Sequence, residues 1–291
     1  MPNSSPVHFV YHVPKCAGST IDYHLGTSLP ASSYYRTRKR RARHYRVMPD
    51  SRTLRVIGGH YLGISVEPLF EGRDVRRSLL LRDPVSHVVS YYNFRMMRYI
   101  AAGFQPYDFD LAYEATQRNF VSHYILRNFL EFGWLRIMSL SSQDKYDLVN
   151  AFLSSFWYVG DYKCCDDLVA ALGGELGIAP TASLRNTRAE WERRVRWTSL
   201  NIEDLSTRDI ARIRQDNLID QRLWETWREA RTEAHFVRPL PLGASARPNL
   251  LGKGVRRLVS QIRRRIHRRF GNLKGVQLAS PKANTAVSLR S

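Results

Sequence analysis

Four short apolar runs punctuate the chain, each too brief for a helix and each bounded by turn-forming residues. They are His8–Val13, which stops at Pro14; Arg52–Ile57, which closes on Gly58-Gly59; Arg77–Arg82; and Phe156–Gly160. Continuous apolar runs rich in β-branched and aromatic residues predict strands buried on both faces, as in a parallel sheet. Between them the periodicity changes to that of amphipathic helices. One helix is predicted to begin near Gly18-Ser19-Thr20. Another begins at Asp83-Pro84, an N-cap followed by proline at the first helical position, and runs to about Ala101. Further helices are predicted over 107–116, 118–132, 143–155 and 163–176. A last long one starts at Ser206 with Asp209 in its first turn and carries Ile210, Ile213, Leu218, Leu223, Trp224 and Trp227. Strands alternating with helices predict an α/β layered fold built on a mainly parallel sheet. Beyond Pro239 the pattern dissolves into Pro, Gly, Ser and Ala around one basic stretch, so residues 1–238 read as the folded domain and 239–291 as an extension.

Composition adds two constraints. With 43% hydrophobic and 24% charged residues the chain has the profile of an ordinary globular protein, and no apolar run reaches the length of a membrane span. The beginning of the chain shows no basic-then-apolar leader, and the three cysteines (Cys16, Cys164 and Cys165) form neither a disulfide framework nor a metal-ligand spacing. A cytoplasmic location is the expectation. The net charge of +19 is uneven. It comes from the acid-free run Arg36–Arg46 and the acid-free extension, while the rest of the chain carries equal numbers of basic and acidic residues. A nucleic-acid-binding protein would interleave basic and aromatic residues on the folded body, so this class is disfavoured. Within 253–270, Val255, Leu258, Val259, Ile262, Ile266 and Phe270 form one helical stripe among arginines. That pattern suits an anionic membrane surface or an acidic polymer, and equally a helix packed on the domain with solvated arginines.

The chemistry concentrates after the first strand. Pro14-Lys15-Cys16-Ala17-Gly18-Ser19-Thr20 joins a strand to a helix through small residues, so main-chain N–H groups and a helix N-terminus can meet an anion beside the Lys15 ammonium. The lysine precedes the glycine and no glycine opens the loop, which sets it apart from the GxxxxGK[ST] loop of ATPases. Arg82 closes the third strand and Ser90 lies two turns into the next helix. In an open parallel sheet ligands bind at the carboxyl ends of strands, which would put Arg82 on the same edge as Lys15.

Together these segments resemble the carbohydrate sulfotransferase group that includes heparan sulfate 2-O-sulfotransferase. Pro14–Thr20 is similar to that group's 5′-phosphosulfate loop, and Arg82-Asp83-Pro84 with Ser90 to its 3′-phosphate motif. Gly59-His60-Tyr61, Val159-Gly160-Asp161-Tyr162 and Asp220–Trp224 follow in the same order, and the resemblance spans about residues 6–236. Three positions depart from the group: Cys16 stands where a hydroxyl residue is usual, His87 where arginine is usual, and Gly58 where the 2-O enzymes carry histidine.

The resemblance implies a P-loop-like three-layer fold. It also implies transfer of a sulfuryl group from 3′-phosphoadenosine 5′-phosphosulfate (PAPS) to a hydroxyl of a sugar or glycan, without a metal. Lys15 would stabilise the bridging oxygen, and Pro14, Lys15, Cys16, Ala17, Gly18, Ser19, Thr20, Arg82, Ser90 and Arg185 would hold the nucleotide. His60, after a predicted strand and two glycines, is the candidate base, with Asp22 and Glu67 as alternatives. A P-loop-type nucleotide kinase is the enzymatic alternative; it would require a Walker-type loop and acidic magnesium ligands that the sequence does not display.

Overall fold

The computed structural model describes residues 5–37, 48, 50–179, 192, 193, 195 and 197–229. The extension from 239, most of the basic run Arg36–Arg46 and the segment Arg185–Arg188 lie outside them. Five parallel strands, β1 (Val7–Tyr11), β2 (Tyr34–Thr37), β3 (Val56–Gly59), β4 (Val75–Leu81) and β5 (Tyr158–Asp161), form one sheet in the order β2-β3-β1-β4-β5. Helices flank this sheet, as the alternating pattern predicts. Every residue of β1 is buried, and its neighbours on either side pair Tyr11 with Gly59 and with Leu79. The chain moves from β1 toward β3 and β2, then crosses to β4 and β5. The loops leaving β1 and β4 therefore diverge, opening a crevice at the carboxyl edge of the sheet.

The second strand lies further along the chain than its apolar run predicts. Asp50 wraps the segment before it: its carbonyl accepts from Thr53 N at 2.9 Å and its carboxylate from Arg52 N at 3.0 Å, which turns residues 51–53 out of the sheet. β3 then runs into the two glycines. Gly59 has φ +133°, and a Cβ there would meet Thr37 Oγ1 at 2.5 Å and the Thr37 carbonyl oxygen at 2.6 Å. Only glycine lets β2 and β3 pair this closely at their ends.

The helix α1 spans Gly18–Ser28, and α2 spans Pro84–Ala101 with the Asp83 carboxylate accepting from Ser86 N at 2.9 Å, as the Asp-Pro signal predicts. Next come α3 (Phe109–Glu114) and α4 (Phe120–Tyr124), the latter passing into a π-helical turn at Ile125–Phe129. They are followed by α5 (Trp134–Ser139), α6 (Ser142–Leu153) and α7 (Cys165–Leu176).

The predicted long helix from Ser206 is two helices, α8 (Thr207–Asp216) and α9 (Leu218–Trp227). Asn217 divides them. Its amide donates to the Ile213 carbonyl at 2.7 Å and its Oδ1 accepts from Asn119 N at 2.7 Å, while the N–H groups of Ile219 and Asp220 turn to Asn119 Oδ1 at 2.9 and 3.3 Å, side-chain bonds in place of helical ones. Below the sheet, edge-to-face contacts join Tyr11 to Phe129 and Phe152, and Phe9 to Phe70. No helix of the described residues is long and apolar enough to cross a membrane.

Candidate functional site

The crevice contains a cavity of about 920 Å³. Its floor is the turn between β1 and α1. Lys15 (φ 71°) and Ala17 (φ 58°) both adopt the left-handed conformation, which side-chain-bearing residues rarely occupy, so the surroundings must hold the turn in place. Three contacts do so. Cys16 N donates to the Val13 carbonyl at 3.2 Å. His87 Nε2–H donates to the Pro14 carbonyl at 3.0 Å, and Arg82 Nη1 donates to the Lys15 carbonyl at 3.0 Å. His87 is buried and its pKa is pushed down to about 4, chiefly by burial, so it serves as a neutral donor at the position where arginine was noted as usual. The N–H groups of Gly18 and Ser19 open α1 and have no intrahelical acceptor, leaving them for an anion.

Two cations dominate the site. The Arg82 guanidinium lies 4.0 Å above the Tyr162 ring and donates from Nε to Ser86 Oγ at 2.7 Å. Its neighbour Asp83 is engaged in capping α2 and does not pair with it. The Lys15 ammonium sits 4.4 Å over the Phe94 ring; burial, with Arg82 adding to it, pushes its pKa down to about 8. Among the described residues neither cation has a carboxylate partner. A pair of half-buried positive charges beside a helix N-terminus, with no carboxylate partner among the described residues, has the electrostatics a multiply charged anion needs.

Of the residues singled out from sequence, Pro14, Lys15, Ala17, Gly18, Ser19, His60, Arg82 and Ser90 line the cavity together. Cys16 and Thr20 do not. Both are buried, and burial pushes the Cys16 thiol up to about 12, which removes it as a reactive thiol; its S–H is directed to the Pro14 carbonyl at 3.9 Å. Arg185 lies outside the described residues. Glu67 is excluded as a base because its carboxylate grips Arg77 through two bonds, at 2.7 and 2.6 Å, and accepts from Tyr11 at 3.2 Å. Asp22 is buried behind His12 and does not line the cavity.

His60 donates from Nδ1 to the His12 carbonyl at 2.9 Å, so the proton-accepting lone pair of the neutral ring is on Nε2. Burial first, then His12, pushes its pKa down to about 4. It is therefore neutral at neutral pH, with the Nε2 lone pair available as an acceptor.

Several site residues carry no motif of their own. His12 lines the cavity, and its ring fills the space that a side chain at Gly18 would need: a Cβ there would lie 2.0 Å from His12 Cδ2. Tyr91, Phe94, Phe120, Tyr124 and Tyr162 supply aromatic walls. Leu200–Glu203 closes one side, held by Asn93, which donates to the Leu200 carbonyl at 2.8 Å and accepts from Leu200 N at 3.0 Å. Only His12 and Tyr162 had a sequence signal, each being the residue that follows a strand's carboxyl end. No group of three or more His, Cys, Asp or Glu among the described residues is arranged to hold a metal ion. No protein-family model, curated protein or solved structure matches the chain, so its function is argued from this site.

Proposed function

We propose that this protein is a sulfotransferase that binds PAPS in the cavity and passes its sulfuryl group to a hydroxyl, one borne by a carbohydrate. The observation that carries the reading is the pair Lys15 and Arg82: two cations at the ends of adjacent parallel strands, tied through the Lys15 carbonyl and without acidic partners among the described residues. A nucleotide with separate phosphates on its 5′ and 3′ positions matches two such anion subsites. In this reading the 5′-phosphosulfate rests on Pro14–Ser19 and the 3′-phosphate meets Arg82 and Ser90. Ser90 lines the cavity and takes no hydrogen bond within its own helix, which leaves its hydroxyl for a ligand. The strand order and the β1-loop-α1 unit then form a P-loop-like arrangement without the ATPase loop.

In the proposed step the acceptor oxygen attacks sulfur, the bond from sulfur to the bridging oxygen breaks, and 3′-phosphoadenosine 5′-phosphate leaves. The hydroxyl proton passes to His60 Nε2. The Lys15 ammonium meets the charge that grows on the bridging oxygen, an interaction stronger in the transition state than before it. Nucleotide binding brings negative charge to a lysine whose pKa burial has lowered to about 8, and so keeps the ammonium charged further into the alkaline range.

The test is to follow release of 3′-phosphoadenosine 5′-phosphate from PAPS in the presence of a mixed panel of glycans, and separately ADP formation from ATP with magnesium. PAPS-dependent release, lost in Lys15→Met, supports the proposal. Turnover of ATP with no binding of PAPS would replace it with a kinase.

A further inference from the structure

The cavity edge holds two imidazoles, those of His12 and His60. His12 and His60 lie stacked, ring centroids 3.9 Å apart and planes 29° from parallel. The His60 Nδ1–H is bonded to the main-chain carbonyl of the same His12. His12 is itself fixed from behind: its Nδ1 lies 3.4 Å from Asp22 Oδ2. That carboxylate receives Tyr34 OH at 3.0 Å and Arg36 Nη2 at 2.9 Å. On its remaining side the ring packs against Gly18, where no side chain could stand.

We infer that His12, anchored by Asp22, is a positioning residue for His60: its carbonyl sets the His60 tautomer and its ring is the plate on which His60 lies with Nε2 presented to the acceptor. This deepens, and rests on, the assignment of His60 as the base in the proposed reaction.

A chain of contacts of this kind does for a base what the carboxylate of a hydrolase triad does for its histidine. It chooses the tautomer and the ring orientation before the proton moves. Here two neighbours divide the duty. The bond to Nδ1 comes from a carbonyl, which stabilises an imidazolium less than a carboxylate would; the carboxylate acts one ring further back. The pair is also coupled through charge. His12 opposes protonation of the ring stacked 3.9 Å away.

The charged and titratable groups around His60 come from three elements: His12 after β1, Asp22 on α1 and Arg36 on β2. Tyr61 adds a ring edge and Tyr124 a hydroxyl bonded to the His60 carbonyl. Burial, His12 and Arg36 all oppose protonation of His60, while the bond to the His12 carbonyl and Asp22 favour it.

The experiment uses the full chain labelled with ¹⁵N-histidine, titrated by nuclear magnetic resonance, with the pH profile of turnover recorded on the same variants. In the wild type His60 is expected as a single Nδ1–H tautomer that stays neutral through the physiological range. His12→Asn keeps a hydrogen-bonding side chain facing Asp22 but removes the ring. It is expected to raise the His60 titration midpoint by about one pH unit or more, and to move the acid limb of the activity profile upward with it. Asp22→Asn, which preserves volume, removes a charge that favours protonation of His60 and is expected to lower its midpoint; by freeing the His12 ring it should also move the ring-current shifts of the His60 signals, while the main-chain carbonyl keeps the Nδ1–H tautomer. If His60 keeps its midpoint and its ring signals in both variants, with native spectra elsewhere, the positioning role is wrong. The spectra need no turnover. Failure to bind PAPS would therefore sink the proposed reaction while the spectra still decide how His12 and His60 are related.

Discussion

The guanidinium of Arg82, at the end of β4, donates to the main-chain carbonyl of Lys15, just beyond the end of β1, across 3.0 Å. The bond joins the residue proposed to hold the 3′-phosphate to the loop proposed to hold the 5′-phosphosulfate, so either anion senses the other's subsite. Arg82→Lys keeps the charge but cannot keep the fork that reaches Lys15 and Ser86 while stacking on Tyr162. Loss of charge-assisted bonds worth roughly 1.5–3 kcal/mol should weaken 3′-phosphoadenosine 5′-phosphate binding by about 10- to 100-fold. Arg76→Lys, in an ion pair with Glu175 away from the cavity, should leave binding unchanged. Calorimetric titration of the two variants decides between a specific and a general effect of charge.

Lys15 should take up a proton when the nucleotide binds. In the empty site its pKa is about 8, lowered by burial and then by Arg82, against 10.5 for the ordinary side chain. Nearby phosphates reverse that shift, so binding between pH 8 and 10 draws a proton from solution, and binding below pH 7 does not. Titrations in two buffers of different ionisation enthalpy read the uptake directly, and Lys15→Met should abolish it. The same shift sets a stability signature. Between pH 8 and 10.5 the unfolded chain holds this proton and the native chain does not, so Lys15 makes the empty protein more stable as pH rises through that window. Catalysis should fall by about 10²- to 10³-fold in Lys15→Met, as for loss of an oxyanion-stabilising group.

Gly18 is required by His12 rather than by its own backbone angles. Gly18→Ala puts a methyl group into the imidazole and should destabilise the fold by about 1–3 kcal/mol, the range for overpacking. Adding His12→Ala removes the obstacle, so the double variant should recover much of the loss. Urea unfolding of all four members of the cycle tests this. Simple additivity would mean that the two residues do not compete for space.

Asp220 clamps two elements that are distant in sequence. Buried on α9, its two carboxylate oxygens accept from Val121 N and Ser122 N, both at 2.8 Å, capping α4. Asp220→Asn replaces one acceptor with an amide that faces another N–H. It should destabilise the protein by about 1–3 kcal/mol, measured by thermal or urea unfolding, with melting still cooperative.

The sheet and the anion loop were legible because their signals are local. Apolar runs mark β1 and β4, Asp83-Pro84 marks α2, and a lysine among small residues marks the turn between strand and helix. Elements decided by distant partners were not. Tyr34–Thr37 is only partly buried at the sheet's edge and lacks an apolar run, so β2 left no trace. The helix after Ser206 reads as continuous until Asn119, far away in sequence, engages Asn217.

The site divides in the same way. Lys15, His60 and Arg82 follow from the rule that strand ends face the crevice, and Ser90 from its place two turns into the helix that follows Arg82. The fate of Cys16, the aromatic walls and the Asn93 clamp on Leu200 depends on packing that no spacing encodes.

The measurement closest to the central claim compares calorimetric binding of 3′-phosphoadenosine 5′-phosphate with that of AMP, which lacks only the 3′-phosphate. With two anion subsites centred on Lys15 and Arg82, the 3′-phosphate nucleotide should bind at least about tenfold more tightly, a difference of about 1.4 kcal/mol, and Ser90→Ala should narrow the gap. Equal affinity for the two nucleotides, or none for either, would contradict the assignment.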